Sequence, residues 1–137
     1  MSEKQSKSSR RTLFKRMLII NGCSTLFPAI IATLFSVQIS HWYGGSFSGL
    51  PPVLILGMVG AVLQSLHNVC ASEFMARSWI WLMYIIATIR DVGGILLCYV
   101  FIQYLEMSGA MSLAMSSAFA ALLALSLSFM SIKLKTN

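Results

Sequence analysis

The sequence predicts an all-α, multi-pass membrane protein: a bundle of four transmembrane helices with short loops and both termini in the cytoplasm. Three observations predict it. The chain has 137 residues with mean hydropathy +0.78, 57% hydrophobic and only 10% charged residues, where a soluble domain carries about 25% charged residues. A water-soluble fold of this length cannot hide so much apolar surface in one core. No charged side chain occurs between Arg16 and Glu73, and the remaining charge gathers at the termini, at two short breaks and in the pair Arg90-Asp91.

Residues 1–12 are polar and rich in Ser, Lys and Arg, and read as a disordered basic cytoplasmic tail. Residues 13–137 read as the four-helix transmembrane domain. The first span is expected at about 17–39, near the ~20 apolar residues a bilayer crossing needs. It carries a basic flank, but no A-x-A site follows, so it reads as an uncleaved span rather than a signal peptide. Pro28 is expected to kink it.

His41-Trp42-Tyr43-Gly44-Gly45-Ser46-Phe47-Ser48-Gly49 separates the first two spans. Its glycines and serines mark a turn, and Trp42 and Tyr43 suit the headgroup level. Pro51-Pro52 open the second span, about 50–71, because proline is tolerated in a first helical turn. A polar break at 72–78 holds Glu73 and Arg77. The third span, about 79–105, begins at Trp79 and Trp81. Glu106-Met107-Ser108-Gly109 reads as a tight hairpin turn. The fourth span, about 110–132, stops at Lys133 and Lys135.

Charge then orients the chain. With four spans, the termini and the 72–78 break share a side. That side collects Lys4, Lys7, Arg10, Arg11, Lys15, Arg16, Arg77, Lys133 and Lys135, while the loops at 40–49 and 106–109 hold no Lys or Arg. The positive-inside rule places the basic side in the cytoplasm of a plasma or bacterial inner membrane. The basic N-terminus next to a span points to anionic lipid headgroups, and not to nucleic acid, since no nucleic-acid-binding module accompanies it.

The helix faces carry two kinds of pattern. In the second span Gly57, Gly60, Ala61, Gln64, His67 and Asn68 recur at three- and four-residue spacing and share a face. In the fourth, Ser112, Ser116, Ala120, Ala124 and Ser128 recur every four residues. Small residues let helices approach closely, and polar ones seek partners in hydrocarbon. The ladder could serve the chain's own packing or association with another membrane protein or a second copy.

Arg90-Asp91 sits near the middle of the third span, where a charge costs at least ~2.5–3.5 kcal/mol. Adjacent helical residues point about 100° apart, so at least one of the two is expected to find a partner on another helix. Side chains lean toward the helix N-terminus, and Arg90 then approaches the depth of Gln64. A polar cluster of Arg90, Asp91, Gln64, His67, Asn68 and Asn21 is expected, either as a structural ion pair or as a gate, proton site or pore lining; the remaining alternative, a loop at Arg90–Gly94, would leave a stub at 95–105 too short to span.

Chemistry for catalysis is sparse. His41 and His67 are expected at different depths, and no P-loop, H-E-x-x-H or G-x-S-x-G is present. The three cysteines form no CxxC and read as small buried hydrophobes. No cofactor, metal or enzymatic activity is expected.

The Arg-rich start, Ile89-Arg90-Asp91, the Gly57–Leu63 stretch and the basic C-terminus resemble lambdoid phage holins, which implies a self-assembling lesion former. Four spans exceed the usual number in that group, and the C-terminal tail carries less charge. The four-span layout with a charged third span is also similar to the ATP synthase accessory protein I family, but the order here is Arg90 then Asp91, not an acid followed by Lys. Immunity and conjugative entry-exclusion proteins share the size without a motif to match. Each resemblance covers only a few residues and implies no membership. The expected function is a small non-enzymatic membrane protein that binds, regulates or helps assemble another membrane component. The alternatives are a holin-like pore and a small solute or ion transporter.

Overall fold

The computed structural model describes the backbone of residues 2–43 and 49–136, and the side chains of residue 9, 12–42 and 49–135. Among the described residues, five α-helices follow one another: α1 (Ser2–Leu34), α2 (Ser36–Tyr43), α3 (Leu50–Ala76), α4 (Ile80–Leu105) and α5 (Gly109–Thr136). Four segments are long and apolar enough to cross a membrane: Thr12–Leu34, Leu50–Ala76, Ile80–Leu105 and Gly109–Lys135. The chain is thus an all-α, multi-pass membrane bundle. The turn expected around Gly44–Ser48 lies outside the described residues.

The boundaries differ from the sequence expectation in three places. The segment 1–12, expected to be disordered, is helical from Ser2. Its Lys, Arg, Gln and Glu are good helix formers, and the adjoining span supplies the costly nucleus. The first span ends at Leu34 rather than 39. The interruption falls at Phe35, not Pro28, which lies inside α1. Even there the ladder nearly continues, with Phe35 N–H donating to Ile31 O at 3.0 Å and Ile39 N–H to Phe35 O at 2.8 Å. Residues 72–76, the first part of the expected polar break, extend α3 instead, leaving a turn of Arg77–Trp79.

That turn closes by backbone chemistry. Ser78 adopts a left-handed φ of 59°. Ser78 N–H donates to Met75 O at 3.0 Å and Trp79 N–H to Phe74 O at 2.8 Å. These are the two bonds of a Schellman cap. Its usual apolar contact is also present, with the Phe74 and Trp79 rings 6.2 Å apart. The α4–α5 turn uses a second left-handed residue, Glu106, at φ 50°.

Packing places α3 and α5 side by side at the centre. α1 lies against α3, and α4 lies against α5. α5 is the most enclosed helix and α1 and α4 the least, so the outer two give most of their surface to lipid. The α5 ladder explains its place. Ser112, Ser116, Ala120, Ala124 and Ser128 are all buried, and their small volumes let two helices close on α5 at once. On α3, Gly60 is buried against Ala118, whose backbone would lie 3.6 Å from an added Cβ.

α3 and α4 meet mainly near their shared turn. Phe74, Ile86 and Ala124 form a buried core there, flanked by Trp79, Leu82, Met83, Leu127 and Ile132. Farther from the turn the two helices diverge, and α5 forms the floor between them.

One end of the bundle gathers the basic residues. Leu13, Phe14 and Met17 of α1 border a hollow with Ser72, Glu73 and Ala76 of α3. Arg77 and Lys135 both stack on the Trp79 ring, at 5.0 Å and 4.7 Å from its centroid. The start of the first span, the α3–α4 turn and the end of α5 therefore share one side.

Candidate functional site

Where α3 and α4 diverge they leave a cleft of about 620 Å³. Gln64 of α3, Arg90, Asp91, Gly94 and Cys98 of α4, and Ser116, Ser117 and Ala120 of α5 line it. Tyr99, Ile102 and Leu113 continue its wall toward the α4–α5 turn. The cleft thus runs from the middle of α4 toward the end of the bundle that lacks Lys and Arg. Asp91 lies about 16 Å along the axis from Ile80 at ~1.5 Å per residue, near the middle of a ~30 Å hydrocarbon layer.

Arg90 and Asp91 do pair with each other, contrary to the expectation from their angular separation. Arg90 Nε donates to Asp91 Oδ1 at 2.8 Å. The long arginine side chain bends around the helix and covers the 100° offset. This bond uses a small part of what the pair offers. A guanidinium has five N–H donors and a carboxylate about four acceptor positions. Among the described residues, no other bond is made by either side chain. Both residues line the cleft, and 24% of the Arg90 side chain and 62% of the Asp91 side chain are accessible.

The other members of the expected cluster separate into three groups. Gln64 reaches the cleft, and its Nε2 donates to Asn68 Oδ1 at 3.1 Å. Asn68 is exposed, one turn farther along α3. His67 is buried behind the cleft, and its Nδ1 lies 3.2 Å from Ser128 Oγ. Ser128 Oγ also donates to Ala124 O at 2.8 Å. A hydroxyl has a single proton, so with that proton given to Ala124 the histidine donates from Nδ1–H. Asn21 does not join the cluster. It is exposed on α1, and its Nδ2 donates to Met17 O at 3.3 Å. α1 packs on α3 away from α4, which puts Asn21 out of reach.

The small-residue faces also divide. The α5 ladder is consumed inside the chain, and so is Gly60. Ala61 is exposed and Gly57 has open space where a side chain would be.

Two features escaped the sequence reading. Cys98 lines the cleft, about two helical turns beyond Asp91 on the same face, and that spacing was a usable signal. The stacking of Arg77 and Lys135 on Trp79 depends on α5 ending beside the α3–α4 turn, which no local pattern shows.

No family model, no curated protein and no solved structure matches this chain.

Proposed function

We propose that this is a non-enzymatic membrane protein that acts by holding another transmembrane segment in the cleft beside Arg90 and Asp91. One observation carries the proposal: an ionic pair at mid-span depth with the Asp91 side chain 62% accessible. In hydrocarbon such groups cost several kcal/mol unless they find partners. A helix bearing polar side chains, laid along the cleft, supplies those partners and covers the apolar walls at Ile95, Tyr99 and Ile102.

The proposal places the basic end of the bundle in the cytoplasm, with Arg77, Lys133 and Lys135 near the headgroups. It differs from the sequence expectation in the docking surface. The α5 ladder is buried within the chain, with Ser116 and Ala120 on the cleft's α5 wall, so association falls to the α4 side of the cleft. A pore is less well supported, because the cleft beyond the pair is bordered by Ile95, Ile102 and Leu113, which disfavour a continuous water column.

Photo-crosslinking tests the proposal. A photoreactive residue at Ile95, on the cleft, is expected to give a discrete protein adduct in native membranes, lost when Arg90→Leu and Asp91→Leu are combined, which leaves no lone charge. The same probe at Ile31 on α1 is expected to label lipid. Lipid labelling alone at both positions would overturn it.

A further inference from the structure

We infer that the segment held in the cleft belongs to a second copy of this chain, related by a two-fold axis along the membrane normal. The inference rests on the docking role proposed for the cleft and names its occupant.

Charge balance argues for a second copy. Arg90 and Asp91 together are neutral. A partner helix bringing a lone acid or a lone base would leave net charge buried in hydrocarbon, at high cost. A partner bringing its own neutral pair would not. A second copy brings that pair, and it brings it at the right level: a two-fold axis along the normal keeps both Arg90-Asp91 pairs at one depth. Each interface is then the same patch on both subunits. Rotation about the axis sets each Arg90 guanidinium between its own Asp91 and that of the other copy. The four charges close into a ring, using donors and acceptors left open within one chain. Charge-assisted bonds of this kind are about twice as strong as neutral ones.

The walls allow the approach. α4 is among the least enclosed helices, and Ile95, which lines the cleft, is 71% accessible. Cys98 is half-buried on the same lining. In the two-fold arrangement it faces its counterpart near the axis. Cys70 is fully buried, and Cys23 is exposed on α1 at the far flank.

These thiols supply the experiment. In membranes, a chain carrying Cys23→Ser and treated with a short bifunctional maleimide is expected to give a covalent dimer through Cys98. A chain carrying Cys98→Ser is expected to give none through Cys23. Two differently tagged copies then test the ring. Arg90→Asp gives one copy two acids, and Asp91→Arg gives the other two bases. Each alone is expected to lose at least ten-fold in dimer yield, and co-expression is expected to restore the mixed dimer. Because either change could impair insertion, Arg90→Gln with Asp91→Asn is the second test: it keeps the shape, and the same loss is expected with normal membrane yield.

Absence of a Cys98 dimer in the Cys23→Ser chain overturns the inference. So does an undiminished dimer in the Gln/Asn variant, or failure of the two charge-swapped copies to pair when both are inserted. A protein adduct of another mass at Ile95, without a Cys98 dimer, excludes the second copy and leaves the docking cleft standing. Lipid labelling alone at Ile95 removes both.

Discussion

His67 Nδ1 lies 3.2 Å from Ser128 Oγ, and both residues are buried, so one polar contact ties α3 to α5 across the centre of the bundle. Hydrogen bonds between membrane helices average about 0.6 kcal/mol and reach about 1.7 kcal/mol. Burial puts this one toward the upper end. A double-mutant cycle of His67→Leu and Ser128→Ala is expected to give a coupling of about 1 kcal/mol. Reversible unfolding in detergent or bicelles would measure it. Strictly additive effects would show that the contact stores no energy.

At Ala124 the α5 ladder leaves no room for a larger side chain. Ala124 is fully buried against Phe74 of α3 and Ile86 of α4. Ala124→Leu is expected to lose about 1–3 kcal/mol through forced displacement of its neighbours. Leu123→Ala, on the half-exposed side of the same helix, is expected to change stability by less than about 0.5 kcal/mol. Comparable losses from the two would contradict the packing order.

Arg90 and Asp91 form one unit. Removing either partner leaves a lone charge at mid-depth, which is worse than removing both. Arg90→Leu and Asp91→Leu are each expected to reduce membrane yield or stability more than the double substitution does. The measurement is folded protein recovered per cell and its unfolding midpoint. A double variant worse than both single variants would overturn the structural role of the pair.

The basic end is fastened through one ring. Trp79 packs on Phe74 and carries both Arg77 and Lys135 on its faces. Cation–π contacts are worth about 0.5–1 kcal/mol at exposed sites. Trp79→Ala is expected to free the end of α5, seen as faster tryptic cleavage after Lys133 and Lys135. Trp79→Phe is expected to restore part of the protection. Unchanged cleavage in Trp79→Ala would show that the stack does not hold the helix.

Much of this architecture was legible in the order of the residues. Apolar runs of bilayer length marked the four spans, and the clustering of Lys and Arg marked the end they share. The turn at 77–79 was not legible, because Ser72 and Glu73 suggest a break yet continue α3: Glu73 pairs with Arg77 one turn later, which lets charge stay helical. The polar cluster was half legible. Spacing placed Gln64, His67 and Asn68 on related faces, and helix depth brought Gln64 to Arg90. It could not show that α1 packs on the far side of α3, which removes Asn21, nor that α3 and α4 diverge, which opens the cleft and brings in Cys98 and Ser117. Those facts depend on which helices are neighbours, and the ladder on α5 settles that only once both of its flanks are known to be covered.

Spin-label accessibility at Cys98 tests the central claim most directly, because lipid, water and protein give three different signatures. A nitroxide on Cys98 in a Cys23→Ala chain, in isolated membranes, would be compared with one on Cys23 in a Cys98→Ala chain. Protein in the cleft predicts low collision with both oxygen and a water-soluble nickel complex at Cys98, against high oxygen collision at Cys23. High oxygen collision at Cys98 would mean lipid fills the cleft, and high nickel collision would mean water does; either result contradicts the account.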